Sequence, residues 1–325
     1  MLRRASSERP DPARVGMIIV NWNSGGLLAD CLASIAAQTV APTRVIVVDN
    51  ASQDNSATSA RRHFPAAQWV ICAENHGFAK ANNLGVAQLN DCQWLCLINP
   101  DAVLAADFIE TMLAAAADAP DYAAFAPLIL QQARPDIIDS AGDEYNRSGV
   151  ACHRLHDTPM NKTELKRGEV FAPTAAVALY RRENFLAMGG FDESFFCYYE
   201  DVDLGARLQL AGCRCLLVPE AVAWHVGGGT TGGAGNPTSV YYCQRNFILT
   251  YFKNMPMPRL LIYMPLHVWA VAKGVLKSLV TGGSLVALRA TFAALPMLPG
   301  IILRRVRSPA VSPIQARSFL RSFRQ

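Results

Sequence analysis

The densest chemistry in the chain lies in Phe195 to Gly212, FFCYYEDVDLGARLQLAG, where Glu200, Asp201 and Asp203 put three carboxylates within four residues. They follow a run of aromatics and precede a leucine-rich segment at helical spacing. A carboxylate beside bulky apolar groups loses hydration, so its pKa rises and it can serve as a base. The competing reading is a helix N-terminus, where acids complement the dipole and the free N–H groups. Four other stretches carry polar groups suited to binding. Asp49-Asn50-x-Ser52-x-Asp54 offers a carboxylate that can accept from a base N–H or a ribose hydroxyl, or else a helix cap. In Asn75-x-Gly77-Phe78-Ala79-x-x-Asn82-Asn83-x-Gly85, Gly77 would let a ligand approach the backbone closely at a helix start suited to phosphate. Asn99-Pro100-Asp101 places a carboxylate where a hard divalent ion could be held, although Pro-Asp is also a turn pair. His225, at the lip of a Gly/Thr run, is the second ligand such an ion would need, while a lone histidine is more often structural.

These groups must be positioned by regular elements, and the apolar pattern supplies them. Val15 to Val20, Val45 to Val48, Trp69 to Cys72 and Trp94 to Ile98 are short apolar runs of the kind buried on both faces of a sheet. Helical spacing recurs over Leu27 to Gln38, Ala79 to Leu89 and Phe108 to Ala117. The alternation predicts an α/β domain with a doubly wound, mostly parallel sheet. Asp49, Asn75 and Asp101 then fall in the crevice beyond the strand ends, where such sheets bind ligands. Pro135 to Leu165 is rich in turn formers and predicts a loop-rich excursion over the site. A short helix is expected from Arg181 to Gly190, a strand at Cys215 to Val218, a mobile loop at Gly227 to Gly233 and a helix at Tyr241 to Tyr251.

From Pro256 the character changes. Leu260 to Ala272 is apolar except for His267 and is stopped by Lys273; Leu285 to Leu303 is apolar apart from Arg289 and a few small polar residues. Neither has eighteen clean apolar residues, which favours two in-plane or re-entrant helices on a membrane over spanning ones. Arg304, Arg305, Arg307, Arg317, Arg321 and Arg324 follow, an arrangement that an anionic membrane surface would attract. The expected organisation is a disordered leader over 1–14, an α/β domain over 15–255 and an apolar, basic-ended helical appendage over 256–325. The net charge of +4 decides little, and the basic tail lacks the interleaved aromatics of a nucleic-acid binder. Nine cysteines with no C-x-x-C pair point to reduced thiols and a cytoplasmic location. Neither G-x-G-x-x-G nor a P-loop occurs.

Taken in order, the pieces resemble the family-2 glycosyltransferases of GT-A fold, particularly the bacterial rhamnosyltransferase-like branch. They are IIVNWNS at Ile18 to Ser24, VVDNASQDNS at Val47 to Ser56, ENHGFAKANNLG at Glu74 to Gly85 and LINPDAVL at Leu97 to Leu104. GGFDESFFCYYEDVDLGARLQLAG at Gly189 to Gly212, WHVGGGT at Trp224 to Thr230 and YYCQRN at Tyr241 to Asn246 complete the set. The resemblance implies that Asp49 contacts the nucleotide base, with Asn21, Trp22, Asn23, Asn50 and Ser52 in the same pocket. Asn75, Gly77 and Asn83 would border the nucleotide sugar. Asp101 would take the place of the family's metal-binding D-x-D, whose first position here is Asn99, and His225 would be the second ligand to Mg²⁺ or Mn²⁺. Asp201 would be the general base, with Glu200 the alternative.

The chemistry of the residues agrees with that implication. Sugar transfer from a nucleotide diphosphate needs stabilisation of the leaving diphosphate and removal of the acceptor's proton. Asp101 with His225, and Asp201, are suited to those two tasks. The resemblance implies dTDP-L-rhamnose as donor and a lipid-linked glycan as acceptor, at the inner face of the cell membrane. UDP-galactofuranose, UDP-glucose and UDP-N-acetylglucosamine are rival donors, and a catalytically silent scaffold is the rival of another class.

Overall fold

A computed structural model describes residues 14–228, 235–282, 284–307 and 319. Most of the expected leader, the glycines and threonines at 229–234, and Arg317, Arg321 and Arg324 lie outside the described residues. The chain begins with β1 (Val15–Asn21), α1 (Leu27–Ala36), β2 (Arg44–Asp49), α2 (Ser56–His63), β3 (Gln68–Ile71), α3 (Gly77–Val86) and β4 (Trp94–Ile98). These strands pair in parallel in the order β4-β1-β2-β3. There follow β5 (Ala102–Leu104), α4 (Phe108–Asp118), β6 (Tyr122–Gln131), β7 (Arg134–Ser140), β8 (Asp143–Tyr145), β9 (Ala151–His153) and β10 (Gly168–Val170). Then come β11 (Val177–Arg181), α5 (Arg182–Ala187), α6 (Glu200–Leu210), β12 (Arg214–His225) and α7 (Pro237–Asn254). β11 enters antiparallel between β4 and β6, β12 runs parallel to β6, and β5, β7 and β10 pair antiparallel at the far side. The result is one mixed sheet of ten strands, with β8 and β9 as a separate hairpin.

Alternation along the central strands divides the core in two. Ile18 and Val20 of β1, with Leu95 and Leu97 of β4, face Ala79, Phe185, Leu204 and Leu208 of α3, α5 and α6. Met17, Ile19, Trp94, Cys96 and Ile98 face the opposite way, onto Leu28, Leu32, Phe108 and Met112 of α1 and α4. Covered faces on both sides explain why β1 and β4 read as unbroken apolar runs.

Three expectations gain detail. The 135–165 excursion is loop-rich but also contains most of β7 and the β8–β9 hairpin, with Ile138 and Ser140 turned inward and Asp139 on the other face. β12 runs unbroken from Arg214 past Glu220 to His225, with an irregularity between Val218 and Val222. Lys273 does not stop its helix. α8 (Arg259–Gly282) continues past it, since lysine is a good helix former and its ammonium lies 5.2 Å from the Trp269 ring on the exposed side.

α9 (Val286–Ala294) and α10 (Leu298–Arg307) follow, joined by a 3-10 turn over Leu295–Met297. Arg259–Thr281 and Val286–Leu303 are long and apolar enough to cross a membrane by length and composition alone. Much of that apolar surface is uncovered: Leu261 is 60% exposed, Trp269 65% and Val280 76%.

Candidate functional site

The parallel strands deliver their polar ends to one edge. Asn21 closes β1 and pairs in register with Asp49, which closes β2. Asn21 is fully buried, and its Nδ2 donates to Asp49 Oδ1 at 2.9 Å and to the hydroxyls of Ser52 and Ser56 at 3.0 Å each. Ser52 also donates to Asp49 Oδ1 at 2.5 Å. Asn23, in the left-handed region at φ 52°, accepts from the backbone of Gln53 and Asp54. Asn21 and Asn23 thus tie the two strand-end loops together and hold Asp49. Trp22 stays 36% exposed beside them.

The next strand end is held by contacts within the protein. Asn50 donates to Asn75 Oδ1 at 2.9 Å and accepts from His76 N at 2.8 Å, so the two amides fasten the start of α3. Gly77, at φ +80°, is required by packing: a Cβ there would lie 2.5 Å from the Phe196 carbonyl oxygen. The close approach expected of a ligand is made by the protein's own backbone, and Ala79 N donates to that oxygen at 3.0 Å. Asn83 is likewise committed, to both backbone groups of Phe191 and to Glu193.

Asp101 and His225 come together through strand register. β5 turns back along β12 so that Ala102 pairs with His225, and His225 Nε2 lies 3.2 Å from Asp101 Oδ1. His225 Nδ1 is 2.9 Å from Asp139 Oδ2, and Asn99 Nδ2 is 3.5 Å from Nε2. Burial opposes charge on the imidazole, but the bonds to Asp101 and Asp139 outweigh it and raise the pKa to about 9. Asn99 Oδ1 is buried with no hydrogen-bond partner among the described residues. A carboxylate, an imidazole and an unpartnered amide oxygen form a donor set that suits Mg²⁺ or Mn²⁺. Among the described residues no three His, Cys, Asp or Glu side chains could hold an ion by themselves. Diphosphate oxygens of a substrate would have to complete the shell.

The acidic stretch forms the first turn of α6, which starts at Glu200; Asp203 is inside that turn and is not its starting residue. Asp203 is fully buried between Arg207 and Lys253, with Asn254 donating at 2.8 Å. Burial raises its pKa, but the two cations overcome that and hold it below the usual carboxylate range. Asp201 is partly exposed, and among the described residues it forms no ion pair. Its oxygens accept from the backbone N–H groups of Ala175, at 2.9 Å, and Val202, at 2.8 Å, and the His153 imidazole is the nearby positive group. Burial, then the charge of Asp143, lift it to about 6 against those two donors. Glu200 is only 4% exposed with Oε2 unpartnered, and burial beside Asp201 pushes it well above the usual range. Of the preceding aromatics, Phe195 is core and does not line a site.

Asp139, Asp143 and His153 escape a reading of the sequence. Asp139 backs His225, and Asp143 accepts from His153 Nδ1 at 2.7 Å behind Asp201. Their signal is faint: two carboxylates four apart in a stretch whose Ile137–Ile138 pair marks a strand.

Comparison with known proteins bears on this arrangement. N-acetylglucosaminyl-diphospho-decaprenol L-rhamnosyltransferase of Mycobacterium tuberculosis is 31% identical over 239 residues, covering 66% of this chain and 77% of the relative. An O-antigen chain rhamnosyltransferase of Salmonella typhimurium is 26% identical over 215 residues, covering 65% and 66%. Among solved structures, GalNAc-T7 with UDP, GalNAc and Mn²⁺ superposes with a TM-score of 0.59 at 16% identity, over 74% of this chain. The present chain spans 48% of that protein's length. The fold is GT-A, a sheet of parallel strands with an antiparallel partner and a carboxylate-bearing edge. The model of the glycosyltransferase-like family 2 matches residues 12–241, and the chain belongs to that family.

Proposed function

We propose that this enzyme transfers L-rhamnose from dTDP-L-rhamnose to a hydroxyl of a lipid-linked glycan, with inversion, at the inner face of the cell membrane. The observation that carries the mechanism is the contrast between Asp101–His225, paired at the strand edge, and Asp201, lifted to about 6 and bonded to backbone N–H groups. The names of the two rhamnosyltransferase relatives, one of which names a decaprenol-linked sugar, support rhamnose as the sugar and a lipid-linked acceptor. Asp101 and His225, with Asn99 beside them, would hold Mg²⁺ or Mn²⁺, which when bound stabilises negative charge on the leaving diphosphate. Asp49, held by Asn21 and Ser52, faces the nucleotide base, and Trp22 lines its pocket. Asp201 takes the proton from the acceptor hydroxyl as that oxygen bonds to the sugar's anomeric carbon. The bond from that carbon to the diphosphate oxygen breaks in the same step, its electron pair leaving with the diphosphate. Attack opposite the leaving group inverts the centre. Residues 15–255 form the catalytic unit. The uncovered apolar side chains of α8, flanked by Arg259, Lys273 and Lys277, rest on the membrane.

A thermal-shift panel tests the reading. dTDP-L-rhamnose, UDP-galactofuranose, UDP-glucose and UDP-N-acetylglucosamine are each added with and without Mn²⁺. At a hundredfold excess over Kd a ligand adds about 2.7 kcal/mol to the folded state. The largest rise in Tm is expected from dTDP-L-rhamnose with Mn²⁺. A rise with a UDP-sugar alone reassigns the donor, and shifts indifferent to the ion remove the metal site.

A further inference from the structure

The YYCQRN segment at Tyr241 to Asn246 has no part in the mechanism above. It lies on α7, which buries polar side chains beside apolar ones: Ser239, Gln244, Asn246, Thr250 and Asn254 are all nearly inaccessible. Buried polar side chains cost stability unless they are bonded, so each calls for a partner. Asn246 Nδ2 lies 2.9, 2.8 and 2.7 Å from the carbonyl oxygens of Phe195, Cys197 and Tyr198. Arg245 Nη2 donates to the carbonyls of Ser194, at 3.0 Å, and Phe195, at 2.7 Å. Arg245 Nε also donates to Asn246 Oδ1 at 2.9 Å, which fixes the way the amide faces. Two adjacent side chains thus gather four carbonyls of a single loop.

That loop is strained. Phe196, Tyr198 and Tyr199 have φ of 65°, 66° and 69°, and none is glycine. Each such residue costs about 1–3 kcal/mol and persists only where its surroundings over-determine it. The residues that follow are Glu200 and Asp201. Tyr199 is the N-cap of α6 and makes no side-chain cap bond, so the first turn takes its place from the loop. α7 grips the loop's side chains as well: the Phe196 ring stacks on Tyr242 at 5.0 Å, and the Tyr198 hydroxyl lies 2.7 Å from Ser239 Oγ. Ser239, Tyr242 and Asn246 recur at helical spacing along one face.

We propose that Arg245 and Asn246 are positioning residues for sugar transfer: they hold the left-handed turn Phe196–Tyr199 and thereby aim the Asp201 carboxylate. The proposal rests on Asp201 being the base. Neither residue touches the reacting atoms.

The test compares wild type, Asn246→Ala, Arg245→Lys and Asp201→Asn. Rates are measured with dTDP-L-rhamnose and an N-acetylglucosaminyl-diphospho-polyprenol. Binding of dTDP with Mn²⁺, Tm, and hydrogen exchange over Cys197–Val202 are read on the same samples. In Asn246→Ala, kcat is expected to fall about a hundredfold while donor KM and dTDP affinity stay within about twofold. Arg245→Lys keeps the charge but not the planar fork, and should lose about tenfold. Exchange over Cys197–Val202 should quicken in both, with the rest of α6 unchanged. Full kcat in folded Asn246→Ala, or a loss that merely follows the folded fraction, overturns the proposal. If Asn246→Ala does not fold, the same comparison on Arg245→Lys decides. Turnover retained by Asp201→Asn refutes the base and with it the aiming role. A wild type inactive on this substrate pair refutes the donor or acceptor instead, and unchanged exchange then still overturns the clamp.

Discussion

Asp201 and Asp203 stand two residues apart on the first turn of α6, and their surroundings differ in kind. The Asp203 side faces α7 and is closed: Arg207, Lys253 and Asn254 surround the carboxylate, and Lys253 continues to Asp192 at 2.6 Å. Two anions and two cations make a neutral, buried network. The Asp201 side faces Ala175, where backbone N–H groups are the donors and, among the described residues, no lysine or arginine pairs with the carboxylate. An anchor must not give up its charge, whereas a base must be able to take a proton. The partner set, more than the residue type, separates the two roles.

The largest break in this comparison should come from Asp201→Asn, which is expected to lower kcat by about 10²–10⁴-fold while nucleotide-sugar affinity and Tm barely move. In the wild type the base must be ionised, so kcat should fall as pH drops through about 6, tenfold per unit below it. A flat profile down to pH 5 would remove Asp201 from the step.

Asp203→Asn should do the reverse. It leaves Arg207 and Lys253 buried without their shared counter-ion, a change that typically costs about 3–5 kcal/mol in urea unfolding. Activity per folded molecule should stay close to wild type. The pH dependence has a definite sign. Burial pushes Asp192 up, but Lys253 holds it well below the usual range, and Asp203 is lowered too. Their stabilisation is therefore full above the ordinary carboxylate pKa and is lost as pH falls through the folded-state values. Lys253→Met should narrow that window and raise the pH of acid unfolding. An unchanged acid midpoint would mean that Lys253 contributes nothing to the anchor.

Asp139→Ala sharpens the comparison at the other carboxylates. It leaves Asp101 in place but frees the His225 ring, and should weaken Mn²⁺ binding, read by paramagnetic resonance, by about 10–100-fold. The smallest effect is expected from Glu200→Gln. Burial pushes the Glu200 pKa well above the usual range and so favours the uncharged acid, which an amide resembles, and kcat should stay within about threefold. A loss as large as that of Asp201→Asn would make Glu200 the base.

Much of the frame was legible before any coordinates. β1, β2 and β4 are unbroken apolar runs because both faces of the sheet are covered, and runs of that kind stand out in a sequence. The polar residues after them could be assigned to one edge because parallel strands end on one side. β7 and the β8–β9 hairpin were hidden, since short, half-exposed strands share their composition with loops. Gly77 was read as room for a ligand, yet it makes room for Phe196, a residue far away in sequence. The resemblance puts Asn83 at the border of the nucleotide sugar, and in the fold its amide bonds both backbone groups of Phe191.

The sequence by itself determined the alternating α/β frame, the strand-end placement of Asp49, Asn75 and Asp101, and the candidacy of Asp201 and His225. Each follows from local patterning, which a linear reading can measure. Only the tertiary structure decided that Asp139 stands behind His225, that Asp143 and His153 stand behind Asp201, and that Lys253 pairs with Asp203. The reason is physical. The charge and orientation of a buried group depend on what lies within a few ångströms of it, and here those neighbours come from strands and helices tens of residues away.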